Sequence, residues 1–257
     1  MLKILWTRLQ QKHRTTAYPK GPAPELPPRF LGRPKIDMSR CTPDSCRSCA
    51  GACPHGALDI GERVRIDLGK CLFCGACEAA CPAGVIEFTR EYRMAVGRRG
   101  ELEVQDAAYR LAEALDAKSR KLFGHSLKLR QVSAGGCGAC EADVNVLNTV
   151  GWDLGRFGIQ FVASPRHADG LLVTGPVTEN MRLGLLKTWE AVPSPKLVIA
   201  AGACAISGGP YLGHPEVHDG CTRLLPVDLF IPGCPPHPLT VLDGLLRLLG
   251  RLEKDGR

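Results

Sequence analysis

Eight cysteines fall in two blocks that each close on Cys-Pro: CTPDSCRSCAGACP, beginning at Cys41, and CLFCGACEAACP, beginning at Cys71. The second block spaces Cys71, Cys74, Cys77 and Cys81 as C-x2-C-x2-C-x3-C-P. In two-cluster iron–sulfur proteins the fourth cysteine of that run serves the neighbouring cluster. The spacing therefore predicts two interleaved 4Fe–4S sites. One takes Cys41, Cys46, Cys49 and Cys81; the other takes Cys71, Cys74, Cys77 and Cys53. Iron in such clusters is tetrahedral and prefers soft thiolate. Three cysteines at two-residue intervals let one loop wrap three corners of a cube. Small neighbours (Ala50, Gly51, Ala52, Gly75 and Ala76) leave room for backbone N–H groups to point at sulfur. Disulfides and zinc are the competing uses. Disulfides need an oxidising compartment, and residues 1–11 are too short and polar for a secretory signal. Zinc sites use separated C-x2-C pairs, unlike these crossed runs. The first block departs from the pattern, with four residues, 42–45, between Cys41 and Cys46.

Four more cysteines follow apolar runs further along. Cys137 and Cys140 stand in GGCGACEAD, Cys204 follows KLVIAA in GACAISGG, and Cys234 follows LFI in PGCPPHP. Each position lies just past an expected strand end, where open α/β sheets place their functional crevice. Four thiolates from three strand ends suit a third 4Fe–4S cluster. Gly135, Gly136, Gly202, Gly208, Gly209 and Gly233 permit tight turns and close backbone approach there. Unrelated core cysteines or a lone zinc site are the alternatives on spacing alone.

These sites need elements to hold them. Residues 1–15 form a basic amphipathic segment with Leu2, Ile4, Leu5, Trp6 and Leu9 at helical spacing. It either caps the cluster region or docks on a partner or a membrane surface. Pro19, Pro22, Pro24, Pro27 and Pro28, then Pro34, make 19–35 an extended arm. Residues 36–90 read as two cysteine loops, each with a short helix and a short strand, at 57–60 and 85–89, and a further strand at 63–67. Residues 101–123 read as one helix, since Val104, Ala108, Leu111, Leu115 and Leu122 recur near helical spacing, with Gly124 as its stop. Beyond 127 strands alternate with helices: strands at 127–133, 161–164, 171–175, 196–201 and 229–232, helices at 179–190 and 239–252. That alternation argues for a small parallel sheet covered by helices. The expected organisation is a docking helix and Pro-rich arm at 1–35, then an α+β, ferredoxin-like two-cluster domain at 36–95. A helical linker at 96–126 leads to an α/β domain of flavodoxin-like kind at 127–257.

The chain has 257 residues, 44% hydrophobic and 23% charged, with thirteen cysteines. No apolar run approaches the ~20 residues of a membrane span. The formal charge of +7 counts every cysteine as neutral. A 4Fe–4S cluster with its four thiolates carries about −2, so three clusters bring the loaded chain to about +1. Aromatic residues make up 5% and do not interleave with the basic ones. Nucleic acid is therefore not an expected partner.

The segments FGHSLKLRQVSAGGCGACEAD, RFGIQFVASPRHADGLLVTGPVTENM, GACAISGG and LPVDLFIPGCPPHPL resemble the small subunit of group 4 membrane-bound nickel-iron hydrogenases. That subunit is related to the complex I subunit carrying the terminal cluster. Upstream, TAYPKGP, FLGRPKID and the cysteine blocks up to EYRMAV resemble the two-cluster subunit of the same assemblies, as in formate hydrogenlyase. The chain thus looks like a fusion of two neighbouring subunits. In the first cysteine pair of the second domain, complex I has adjacent cysteines; the hydrogenase relatives have C-x2-C, as do Cys137 and Cys140. Ser133 and Asp143 stand where those relatives commonly carry Asp and Glu.

The resemblance implies an electron-transfer subunit of an energy-converting hydrogenase. Three 4Fe–4S clusters would connect an electron-donor subunit or ferredoxin to a nickel-iron large subunit, beside membrane proton- or ion-translocating subunits. It implies a cytoplasmic chain, held at the inner membrane through partners, with no catalytic residue of its own. A complex I-like quinone-reducing module, a hydrogenase-related complex without nickel, and a free two-domain ferredoxin are the other readings. Cys221 is expected to be a structural thiol rather than a ligand. His237, three residues after Cys234, is expected at the surface or behind the ligands. Arg166 and His167 fit either a turn or a contact with the large subunit, and His55 a variable loop position. Glu141 and Asp143 read as helix-start residues.

Overall fold

The structure, a computed structural model, describes residues 2–12, 14–42, 46–105, 109–123 and 125–252. The 43–45 part of the first cysteine loop, Ala108 and Gly124 lie outside the described residues. Helix α1, Leu2–Gln11, has no residue buried against the described part of the chain. The arm that follows is extended, as its prolines require. It is pinned to the far half of the chain before it reaches the near half. Thr16 N–H donates to the Gly151 carbonyl at 2.8 Å. Arg156 donates to the carbonyls of Thr16 and Tyr18, both at 2.7 Å.

The cysteine-rich region is built from very short pieces. Strand β1, Pro34–Ile36, is followed by helix α2, Ser48–Gly51, then by β2, Leu58–Ile60, and β3, Val64–Asp67. Helix α3, Ala76–Ala79, and strand β4, Ile86–Phe88, complete the second half. β1 pairs antiparallel with β4, Ile36 opposite Ile86, and β2 pairs antiparallel with β3, Leu58 opposite Ile66. The expected strands are all present, each trimmed by a residue or two.

Residues 96–126 are not the helical linker the apolar spacing suggests. Val96 bridges antiparallel to Phe230, and Glu103–Val104 forms β5, paired with β3. Residues 109–116 form no helix, with Ala112 N–H bonded to the Ala95 carbonyl and Leu115 N–H to that of Leu248. Among the described residues of this stretch, α-helix is confined to Ala117–Phe123, α4, with a 3-10 turn at Arg99–Leu102. The apparent stripe does not bury as one face: Val104 is buried, whereas Leu122 is 54% exposed. A backbone that serves two sheets in turn cannot also satisfy itself as one helix.

Strand β6, Leu127–Ser133, opens a sheet continued by β7, Ile159–Phe161, β8, Gly170–Thr174, β9, Leu197–Ala201, and β10, Leu229–Ile231. All pairings are parallel in the order β10-β9-β8-β6-β7. This is the doubly wound order in which the chain reverses direction between its first and third strands. β8, β9 and β10 are buried along their whole length, as strands covered on both faces must be. Helices α5, Ala139–Val146, α6, Glu179–Ala191, α7, Ala203–Ser207, and α8, Pro238–Leu248, connect and cover them. Among the described residues no helix is long and apolar enough to cross a membrane.

One apolar core joins the cysteine-rich region to one face of this sheet, bringing Ile66, Leu102 and Val104 together with Val173, Ala200 and Ile206. The other core holds α8 and the arm against the opposite face. α8 is buried on every side, more central than the closing helix its sequence suggests. A Cβ on its Gly244 would meet the Ala95 side chain at 2.7 Å, so glycine allows the segment before Val96 to lie against it.

Candidate metal centres

In the cysteine-rich region each loop leaves its sulfurs facing backbone donors. Ala57 N–H reaches Cys53 Sγ, Phe73 N–H reaches Cys71 Sγ and Val85 N–H reaches Cys81 Sγ, each at 3.3 Å. Phe73 makes its bond with φ at +53°, a strained value for an aromatic residue. Nothing in the residue type signals it.

The thiols fall into groups by which of them bear on one another. Burial raises Cys41, with Cys81 and then Cys46 adding to it. Cys49 is raised by burial, and Cys81 and Cys41 contribute again. Hydrogen bonds from Ser48 lower Cys46. Burial pushes Cys71 up to about 12 against the Phe73 N–H, and Cys77, Cys53 and Cys74 raise it further. Cys77 is pushed to about 11, by burial first and then, against the Glu78 N–H, by Cys53 and Cys74. Cys81 thus bears on Cys41 and Cys49 of the first block, and Cys53 on Cys71 and Cys77 of the second. Cys53, Cys71, Cys74 and Cys77 also line a common cavity with His55.

At the carboxyl ends of the parallel strands, four cysteines from three strand ends come together. Cys137 and Cys140 follow β6, with Gly138 at φ +85° turning the chain into α5. Cys204 lies in α7, directly after β9, and Cys234 in the loop after β10. Burial raises Cys140 well above the usual thiol range, and Cys204, Glu141, Cys234 and Cys137 add to it. Cys204 is pushed to about 12 by burial, with Cys234 and Cys137 contributing. Cys137 also raises Cys234, after burial. Two glycines keep this crevice open. A Cβ on Gly202 would lie 2.6 Å from Cys140 Sγ, and one on Gly209 would lie 2.8 Å from Cys204 Sγ. Clustered, buried thiols are costly as bare thiolates, and iron is what would stabilise them in that form.

Among the described residues no three His, Cys, Asp or Glu side chains form a tight single-ion site. Cys221 is different: burial pushes it to about 12, opposed by its own backbone N–H, and it is fully enclosed.

The remaining residues singled out by sequence divide clearly. His237 caps α8 by accepting the Leu239 N–H at 3.1 Å, and burial lowers its pKa. Its ring stands edge-on to Phe30 and Trp152, with centroids 5.4 and 6.2 Å away. His237 lines one cavity with Cys234, Asp143, Phe73, Met94 and Phe30. Of the cysteines, Cys234 lines this cavity, together with Phe73, whose N–H reaches Cys71 Sγ. Glu141 bonds the Thr174 hydroxyl at 2.6 Å. Burial would raise its carboxyl, yet bonds from Ser133 and Thr174 hold it below the usual range. Burial raises Asp143. Arg166 and His167 are exposed in the turn Pro165–His167.

The sequence matches the description "NADH ubiquinone oxidoreductase, 20 Kd subunit" over residues 137–248 and "4Fe-4S dicluster domain" over residues 40–85. Among similar proteins is a probable membrane-bound hydrogenase subunit of Pyrococcus furiosus, 41% identical over 52% of this chain and 80% of that one. Formate hydrogenlyase subunit 7 of Escherichia coli is 42% identical over 55% of each chain. An NADH-quinone oxidoreductase subunit of Rubrobacter xylanophilus is 41% identical over 47% of this chain and 48% of that one. The chain thus spans about half the length of the last two. With Cys140, Cys204 and Cys234 inside the first match, and a relative covered over 80% of its length, the chain belongs to the family of the 20 kDa subunit of NADH ubiquinone oxidoreductase, here preceded by a 4Fe–4S dicluster unit.

Proposed function

We propose that twelve cysteines hold three 4Fe–4S clusters and that the chain relays electrons through them. Cys41, Cys46, Cys49 and Cys81 hold the first, and Cys71, Cys74, Cys77 and Cys53 the second. Cys137, Cys140, Cys204 and Cys234 hold the third. The observation that carries this reading is the convergence of four thiols from three strand ends, in a crevice that Gly202 and Gly209 leave open. Bound clusters supply one-electron chemistry. The chain's part is to fix the thiols and to aim N–H groups at sulfur.

The partners are those that the resemblance to hydrogenase subunits implies. A donor subunit or ferredoxin would face the first two groups. A nickel-iron large subunit would face the third, beside membrane subunits that translocate ions. The C-x2-C spacing of Cys137 and Cys140 favours this hydrogenase assignment. The 41% identity to an NADH-quinone oxidoreductase subunit favours a second reading, a quinone-reducing module or a large subunit without nickel. The presence or absence of nickel, held by two C-x2-C pairs in the partner large subunit, decides between them.

Iron and acid-labile sulfide on anaerobically purified chain test the assignment, with EPR of the reduced protein. About twelve iron per chain are expected, four per cluster. About eight would leave the third group empty and overturn it. Cys221→Ser should leave iron unchanged; a loss of about four iron would show the ligand set to be wrong.

A further inference from the structure

We propose that α1 binds flat on the surface of an anionic lipid bilayer, so that the chain touches the membrane directly as well as through partners. At 3.6 residues per turn, Leu2, Leu5, Trp6 and Leu9 share one stripe of this helix, with Lys3 on one flank and Arg8 on the other. The stripe is open: Leu2 is 84% exposed, Leu5 61%, Trp6 64% and Leu9 71%. Ile4 stands apart from it, also exposed. No residue of α1 is buried against the chain. Up to residue 24 the sequence has Lys3, Arg8, Lys12, Arg14 and Lys20 and no acidic residue; Glu25 is the first.

This charge pattern selects the occupant. A short apolar stripe with cations on both flanks and a tryptophan within it suits a plane of lipid phosphates above acyl chains. A helix of ten residues rises about 15 Å, half the hydrocarbon thickness, so it lies on the bilayer rather than crossing it. Its attachment is firm. Thr15 Oγ1 donates to the Val150 carbonyl at 2.9 Å and Thr16 N–H to Gly151 at 2.8 Å. Val150 is itself 71% exposed. The dicluster match begins at residue 40, so α1 lies outside both family matches.

The test is flotation of the intact, iron-loaded chain with vesicles of phosphatidylglycerol and phosphatidylcholine, and with vesicles of phosphatidylcholine alone. The chain should float with the anionic vesicles and stay behind with the neutral ones, and high salt should release it. Lys3→Gln with Arg8→Gln should weaken partitioning about thirtyfold, from about 1 kcal/mol per cation. Leu5→Asp with Leu9→Asp should abolish it. Both pairs are exposed, so iron content should match the parent chain, which separates failure here from failure of the cluster assignment. Three results overturn the proposal: no flotation of the parent chain at low salt, unchanged flotation of Leu5→Asp/Leu9→Asp, or flotation only when membrane subunits are reconstituted in the vesicles. The last would make α1 a protein dock.

Discussion

Gly202 carries more of the third site than its missing side chain suggests. It follows β9 at φ +92°, and any Cβ there would press on Cys140 Sγ from 2.6 Å. Alanine would be strained in backbone and would push a cysteine out of the group. Gly202→Ala should cost the chain about four of its roughly twelve iron and spare the rest. Gly51 in the first block faces open space, with nothing within 4 Å of an added Cβ. Gly51→Ala should therefore leave iron unchanged. Iron analysis and EPR on the two variants check the contrast. The cysteines were legible because thiolate number and spacing are the chemistry itself. Phe73 was not, since its left-handed backbone belongs to a residue type that avoids it. Nor was the Glu141–Thr174 bond, which exists only once β8 and α5 are packed.

At the scale of elements, the parallel strands were legible because burial on both faces leaves near-continuous apolar runs. Residues 101–123 were not, because their apolar spacing fits a helix while their hydrogen bonds go elsewhere. α8 shows the same limit. It carries Asp243 and Arg247, residue types that seldom sit in a core. Both are buried, and they pair at 2.7 Å. The Tyr18 hydroxyl, from the arm, donates to the same carboxylate at 2.8 Å. Long-range partners 225 residues apart cannot be read from local pattern. Asp243→Ala would strand a buried guanidinium and should destabilise the chain by about 3–5 kcal/mol. Tyr18→Phe removes one hydrogen bond and should cost about 1 kcal/mol. Denaturant midpoints of the iron-loaded protein measure both. Equal costs would mean that the arm, rather than the ion pair, is what holds α8.

The molecule as a whole rests on two cores of unequal independence. The cysteine-rich region has strands of two to four residues. So small a region depends on its bound groups and on the sheet face it shares. The opposite core, with Leu129, Leu172, Ile199, Ile231 and Leu245, needs no cysteine ligand. Stripping iron with a chelator should therefore unfold the molecule in part. Amide hydrogens of β1 to β5 should exchange at the rate of an open chain. Those of β9 and α8 should remain protected, with faster exchange at the loops of Cys137, Cys204 and Cys234. Charge should change in step. Loss of three clusters returns about six units of positive charge, so the stripped chain should bind a cation exchanger more tightly than the loaded one. Simultaneous loss of protection in β9 and α8 would show instead that the two cores form one cooperative unit, with iron required for both.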